Sequence, residues 1–303
     1  MGRVSEERRG VAFGMAAYLL WGMFPLYWPL LQPATPPEIL AHRIVWSLLV
    51  VLGLLAVRRN WGWLRGLGRR RLGLLTLAAV VISVNWATYI HGVNSDHVVE
   101  TSLGYFINPL VTVLLGVVVL RETLRPVQWG AIGLAALAVV VLTVDYGRPP
   151  WIALVLAVSF AAYGLLKKKA GVGALEALTV ETAVLVLPAL AFIGVLSARG
   201  AAAFGASGTG HAALIAVGGV VTAVPLLCFG AAANRVPLST LGLLQYLAPV
   251  LQFLIGVLVF REQMPASRWV GFVLVWTALV VLSADGLRSV RRRQLALAAE
   301  PVA

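Results

Sequence analysis

Residues 109–122 read PLVTVLLGVVVLRE, and residues 249–262 read PVLQFLIGVLVFRE. At an offset of 140 residues Pro109 falls on Pro249, Gly116 on Gly256 and Arg121-Glu122 on Arg261-Glu262. The register continues through Trp129 on Trp269, Val140-Val141-Leu142 on Val280-Val281-Leu282, and Asp145 on Asp285. Two apolar helices resemble each other by composition, but a proline, an Arg-Glu pair, a tryptophan and an aspartate in one register do not. A weaker match at an offset of 142 sets Tyr18, Trp21 and Gly22 beside Phe160, Tyr163 and Gly164. The chain therefore reads as two related halves, 1–146 and 147–303.

The 303 residues are 60% hydrophobic and only 12% charged, where a soluble domain carries about 25% charged residues. That composition excludes a soluble protein, because most of the exterior must face hydrocarbon. A helix needs about 20 residues to cross a hydrocarbon core of about 30 Å. Punctuation by Arg, Pro and Gly cuts the chain into ten such segments: 10–31, 37–57, 72–93, 98–120, 126–144, 150–167, 176–197, 212–234, 238–260 and 267–284. The expected fold is an all-α integral membrane protein of ten transmembrane helices. Five spans per half is an odd number, so the second half enters the membrane inverted. The basic N-terminus before the run 11–31 imitates a signal peptide, but the run is too long and reads as a retained first span. Segment 198–211, rich in Ala, Gly and Ser, is expected to be a flexible loop.

Twenty-four Lys and Arg against 12 Asp and Glu give a net charge of +12, which in a soluble protein would suggest nucleic acid. Here the placement is topogenic. With the N-terminus inside, 19 of the 24 basic residues fall in inside segments, and Arg148, Arg199, Arg261 and Arg268 fall outside. Both termini are thereby predicted to be cytoplasmic. A nucleic-acid partner is not expected; the expected partners are the lipid bilayer and a small-molecule substrate, with a homodimer as a compatible assembly.

The single Cys228 excludes an internal disulfide, and four scattered histidines suggest no metal cage. There is no H-E-x-x-H, no Walker A motif, and the only G-x-S-G lies in loop 205–208, so neither an enzyme nor a cofactor is expected. Inverted repeats are the architecture of secondary transporters. A channel or a lipid-handling protein is the alternative. A midplane cavity closed at one end supports the carrier; a continuous water-wide pore, or a slot open sideways to lipid, contradicts it.

The segment Ser102-Leu103-Gly104-Tyr105-Phe106-Ile107-Asn108-Pro109-Leu110 resembles the fourth-span signature of RarD proteins, the EamA-type branch of the drug/metabolite transporter superfamily. Glu38, Ala41-His42-Arg43, Trp46-Ser47, Asn85-Trp86, Tyr163-Gly164 and Lys168-Lys169 carry the same resemblance. So do Val224-Pro225-Leu226-Leu227-Cys228-Phe229, Ser239-Thr240-Leu241-Gly242, Gln245-Tyr246 and Pro249. It runs along nearly the whole chain. It implies ten helices in two inverted repeats, a bacterial inner (plasma) membrane location and permease activity on a metabolite or drug-like molecule.

The few polar residues inside the spans are the candidates for a substrate pathway. Pro109 and Pro249 lie about eleven residues into the fourth and ninth spans, roughly 16 Å deep and near the midplane. Each is expected to interrupt its helix and free the carbonyl of Tyr105 or Gln245, which is tolerated where a carbonyl lines a cavity or meets a donor. Thr101, Tyr105, Asn108 and Thr112 share one face of span four, and Gln245 and Gln252 are the repeat equivalents of Tyr105 and Thr112. The stripe serves either a substrate or hydrogen bonds between helices.

Span two carries His42 and Arg43, on the same outer side as His91, Asp96, His97 and Glu100. An intramembrane arginine is costly and needs a reason. Arg43 binds an anionic substrate group, pairs with Glu100, or snorkels to the interface. His42 reads as a hydrogen-bonded packing residue before a proton carrier. Glu181 in span seven reads as an interfacial cap or a proton site. Asn85 and Tyr89 share a face of span three, Tyr18 and Trp21 share one of span one, and Tyr163 repeats the position of Trp21. These aromatics either contact a ligand or pack.

Overall fold

The computed structural model describes residues 2–59, 61–121, 123–233, 235–236, 240 and 244–299. Among the described residues the chain is helical, with no strand. Helix α1 (Gly2–Gly22) is followed by the short α2 (Phe24–Tyr27) and a 3-10 turn (Trp28–Leu31). Then come α3 (Pro36–Arg58), α4 (Arg69–Asn94), α5 (Val98–Leu120), α6 (Pro126–Tyr146) and α7 (Trp151–Ala170). The rest are α8 (Ala174–Ala198), α9 (Thr209–Ala233), α10 (Leu247–Leu258) and α11 (Ala266–Ala299).

Eight of these helices, α3 to α9 and α11, are long and apolar enough to cross a bilayer. A ninth arises if Glu6–Gly22 and Phe24–Leu31 are one span bent by 43°. The bend has a local cause: Pro25, just past the break at Met23, removes an amide donor that a continuous helix would need. Helix α10, at 12 residues, reaches about 18 Å and does not span alone. Residues 237–239 and 241–243, where the ninth segment was expected to begin, lie outside the described residues. Apolar side chains such as Val144, Leu187, Leu258 and Val280 are exposed on the outside, as a hydrocarbon solvent requires.

The two prolines differ. Pro109 sits inside the continuous α5, leaving the Tyr105 carbonyl without its usual donor. Pro249 was expected to interrupt a helix; instead it is the third residue of α10, in the first turn, where an amide has no helical partner to lose. The equivalent Arg121 and Arg261 both take the left-handed backbone conformation, at φ 55° and 54°. Glu122 lies outside the described residues.

Packing runs between the halves of the chain. Helix α6 packs on α11, α3 on α8 and α9, α4 on α7 and α8, α5 on α7 and α10, and α1 on α9 and α10. Three of these pairs are antiparallel, as their end contacts show. Arg268 at the start of α11 meets Asp145 at the end of α6 at 2.9 Å, while Arg125 before α6 meets Asp285 in α11 at 2.9 Å. Glu38 near the start of α3 meets the loop after α8, and Glu262 after α10 meets the start of α5. Small residues allow the close approaches: a Cβ on Gly104 would lie 2.8 Å from the Ala153 carbonyl, and one on Gly219 would lie 2.6 Å from that of Trp46.

The segment between α8 and α9 is not the free loop its composition suggested. The Glu38 carboxylate accepts the amides of Ala203 at 2.7 Å and Phe204 at 3.0 Å, and the Phe204 ring stacks on His42 with centroids 4.4 Å apart. One buried acid and one aromatic side chain therefore fasten this segment over the end of the bundle.

Candidate functional site

Arg43 lies seven residues into α3, about 10 Å along the axis, and is only 4% exposed. Its Nε donates to Thr222 Oγ1 on α9 at 2.8 Å. The guanidinium carbon stands 4.0 Å from the Trp86 ring centroid, 5.1 Å from that of Trp28 and 5.8 Å from that of Phe24. Four segments of chain thus converge on one cation, whose aromatic neighbours favour it through their ring faces. No ion pair among the described residues includes Arg43. The expected pairing with Glu100 is corrected: that carboxylate is held by Arg148 at 2.8 and 3.3 Å and by the Ile152 amide at 3.1 Å. Burial among rings also removes the snorkelling alternative.

Beside the cation, Asn85 on α4 organises a polar network. Its Nδ2 donates to the Leu156 carbonyl at 3.1 Å and to Ser159 Oγ at 2.9 Å, and its Oδ1 accepts the Tyr105 hydroxyl at 3.3 Å. The Tyr89 ring meets Tyr105 edge-on at 5.6 Å, and its buried hydroxyl has no partner among the described residues. Asn85, Tyr89 and Tyr105 are therefore joined to one another beside Trp86, the ring that meets Arg43.

The polar stripe on α5 does not stay together. Thr101 is buried and its hydroxyl bonds to the Val98 carbonyl. Asn108 donates to the Ala157 carbonyl on α7 at 3.1 Å, so its amide joins two helices. Thr112 is exposed, with its hydroxyl turned back on the Asn108 carbonyl at 2.9 Å. Of the four, only Asn108 hydrogen-bonds to α7; the Tyr105 hydroxyl reaches Asn85 on α4, and Thr101 and Thr112 bond within α5.

A second cluster surrounds Trp21. Its carbonyl accepts Gln252 Nε2 from α10 at 3.1 Å, while Gln252 Oε1 is buried with no partner among the described residues. Tyr18 packs edge-on against Trp21 at 5.4 Å and Phe229 at 6.1 Å. Gln245 lies in the turn before α10, partly buried. At the opposite end of the bundle from Glu100, Glu181 is 1% exposed and pairs with Lys167 at 3.2 Å and the Tyr163 hydroxyl at 3.0 Å. Lys167 is thus an ion-pair partner as well as part of a basic run. His42 stacks on Phe204, and its Nε2 has no partner among the described residues.

At the Glu100 end, hydrogen bonds from the Arg148 guanidinium to Glu100 raise the arginine's pKa. Glu262, in the loop after α10, accepts the Val98 amide at 2.5 Å and the Val99 amide at 3.1 Å. Burial nevertheless pushes its carboxyl up to about 7, against the opposing effect of those two amides. A groove of about 320 Å³ opens on the apolar flank between α1–α2 and α9, lined by Leu20, Met23, Phe24, Tyr27, Val220, Val221, Val224 and Pro225. Its inner wall, Phe24, is the same ring that flanks Arg43.

Three neighbours of Arg43, namely Trp28, Phe24 and Thr222, escaped sequence reasoning, and Trp86 entered only as half of a signature pair. The signal available for Trp86 was its place beside Asn85 and one turn before Tyr89 and Ile90. Thr222 had none, being one hydroxyl in an apolar helix.

Helices of this length and apolarity, packed around a few buried polar side chains, define a multi-pass membrane protein. The model of the EamA-like transporter family matches residues 8–144 and again residues 149–284, and the chain belongs to that family. It is 61% identical over 298 residues to the protein RarD of Streptomyces exfoliatus, covering 97% of this chain and 94% of that protein. It is 39% identical over 289 residues to the protein RarD of Escherichia coli K12, covering 95% and 98%. An "uncharacterized transporter" of Vibrio cholerae is 40% identical over 287 residues, covering 94% and 95%. A solved crystal structure of a protein 18% identical in sequence aligns with a TM-score of 0.56, over 92% of this chain and 97% of that one, a likeness of fold.

Proposed function

We propose that this protein is a secondary active transporter that moves a small metabolite or drug-like molecule across the bacterial inner membrane by alternating access. The observation that carries this reading is the antiparallel packing of α3 on α8, α5 on α10 and α6 on α11. Each pair joins helices that hold equivalent places in the halves 1–146 and 147–303. Under a five-span shift the contact of α5 with α7 becomes that of α10 with α1, and α4 with α7 becomes α9 with α1. Two inverted halves that interleave in this way can exchange conformations about a shared site. The family and the names of the relatives support transport.

In this reading the chain crosses the membrane ten times with both termini cytoplasmic, the ninth crossing being completed by residues before α10. Arg43, Asn85, Tyr89 and Tyr105 form the centre of the substrate pathway, with Trp21 and Gln252 beside it. Glu181, with Lys167 and Tyr163, is the proton-coupling group, so Glu181→Gln abolishes stimulation of flux by a pH gradient. A lipid-handling reading draws on the groove open at the apolar flank, which is a sideways opening of the kind that counts against a carrier. Its lining offers one polar side chain, Tyr27, whose hydroxyl already donates to the Leu214 carbonyl at 2.6 Å. A headgroup crossing there would lose its water without replacement partners.

Proteoliposomes test both readings. A metabolite panel assayed with and without a proton gradient should yield a saturable, gradient-dependent substrate, while a fluorescent phospholipid in the same vesicles stays in its leaflet. Lipid exchange without solute flux would overturn the transporter. In a Cys228→Ser background, an impermeant maleimide applied to intact cells should label Gln263→Cys and spare Thr123→Cys. Equal labelling would contradict the inverted topology.

A further inference from the structure

Resting on the transport reading, the class of substrate follows from the groups that surround Arg43. A guanidinium offers five N–H donors in a planar fork. Only Nε is used, by Thr222; the two terminal nitrogens donate to no described residue. Two further donors of the same apolar cluster, the Trp28 indole N–H and the Tyr89 hydroxyl, are buried without partners among the described residues. The unmet demand is therefore for acceptors. A buried cation without a carboxylate is also an expensive arrangement, tolerated where a counter-charge arrives.

Geometry narrows the acceptor. The guanidinium carbon stands 4.0 Å from the Trp86 ring centroid, and the two terminal nitrogens, which donate to no described residue, are the groups through which a carboxylate pairs by two parallel hydrogen bonds. The charge to be matched is a single one. Arg43 is the only lysine or arginine among the buried side chains described, so no second such cation is at hand to neutralise a dianion. The walls are indole and phenyl rings, which favour a flat apolar body. We infer that Arg43 is the receptor for a small organic monoanion, a carboxylate on a flat apolar frame, seated against Trp86 and Trp28.

Purified full-length protein in detergent tests this through intrinsic tryptophan fluorescence and thermal melting. The probes are benzoate and indole-3-acetate, their neutral amides, and phenyl phosphate. The carboxylates should quench fluorescence saturably and raise the melting temperature. The amides and phenyl phosphate should bind at least about tenfold more weakly, the loss expected when a charge-assisted pair is removed or overcharged. Arg43→Gln should abolish binding. Arg43→Lys, which keeps the charge and so guards against a folding defect, should weaken it at least about tenfold by losing the fork. Amides binding as well as carboxylates, phenyl phosphate binding more tightly, affinity unchanged in Arg43→Lys, or no binding by either carboxylate would each overturn the assignment. Carboxylate binding with no flux in proteoliposomes sustains the receptor and removes the transporter; solute flux indifferent to Arg43→Lys sustains the transporter and removes the receptor.

Discussion

Asn108 and Arg43 stand in similar apolar surroundings, yet their polar atoms are in opposite states. The Asn108 amide is already spent on the Ala157 carbonyl, so Asn108→Ala removes one bond between helices, worth about 0.6 and at most about 1.7 kcal/mol. Thermal melting should register that loss while the affinity for any transported solute stays within a factor of about two. Glu262 makes a prediction about pH. Its carboxyl is raised from 4.5 to about 7 by burial, so the folded state binds a proton that the unfolded state has released between those values. Its contribution to stability is present below pH 4.5 and is lost as the pH climbs through about 7. Melting temperatures recorded from pH 5 to 8 should fall more for wild type than for Glu262→Gln; parallel curves would contradict the assignment. Arg43 itself was legible in the sequence, because an arginine in an apolar run demands explanation. Its surroundings were not, because Trp28 lies beyond the bend at Met23 and Pro25.

Helices here are positioned by small residues as much as by large ones. The α5–α7 contact admits no side chain at Gly104, where a Cβ would lie 2.8 Å from both the Ala153 carbonyl and Leu156 Cβ. Gly104→Ala should cost about 1–3 kcal/mol by forcing the helices apart. Gly133 on α6 has nothing within 4 Å of a Cβ, so Gly133→Ala should be neutral or stabilising by up to about 1 kcal/mol. Melting curves of the two variants side by side check the contrast. The helices from α3 to α9 fall close to the expected segments, because span length and Arg, Pro and Gly punctuation are local properties. Which face each buries was not legible. A helix apolar all round has no stripe to read, and for that reason Thr112 was grouped with Asn108 although it faces outward.

Taken whole, the molecule is a set of helix pairs drawn from opposite halves of the chain. Asp145 and Asp285, which coincide at the 140-residue offset, close the two ends of the α6–α11 pair with Arg268 and Arg125. Asp145 is 4% and Arg268 17% exposed at the side chain, so this pair should couple. A cycle of Asp145→Asn, Arg268→Gln and the double variant should give an interaction of about 1 kcal/mol in unfolding free energy, and strict additivity would contradict the contact. That the two aspartates at these ends coincide at the 140-residue offset was readable from PLVTVLLGVVVLRE and its partner, since the anchors are rare residues in a fixed register. The neighbours of Arg43 were not, since Thr222, Trp86 and Trp28 come from segments far apart in the chain. The central claim is flux through the Arg43 site. Counterflow of an aromatic carboxylate in proteoliposomes should be saturable in wild type, retained in Asn108→Ala and reduced at least about tenfold in Arg43→Gln. Equal counterflow in wild type and Arg43→Gln would contradict the account.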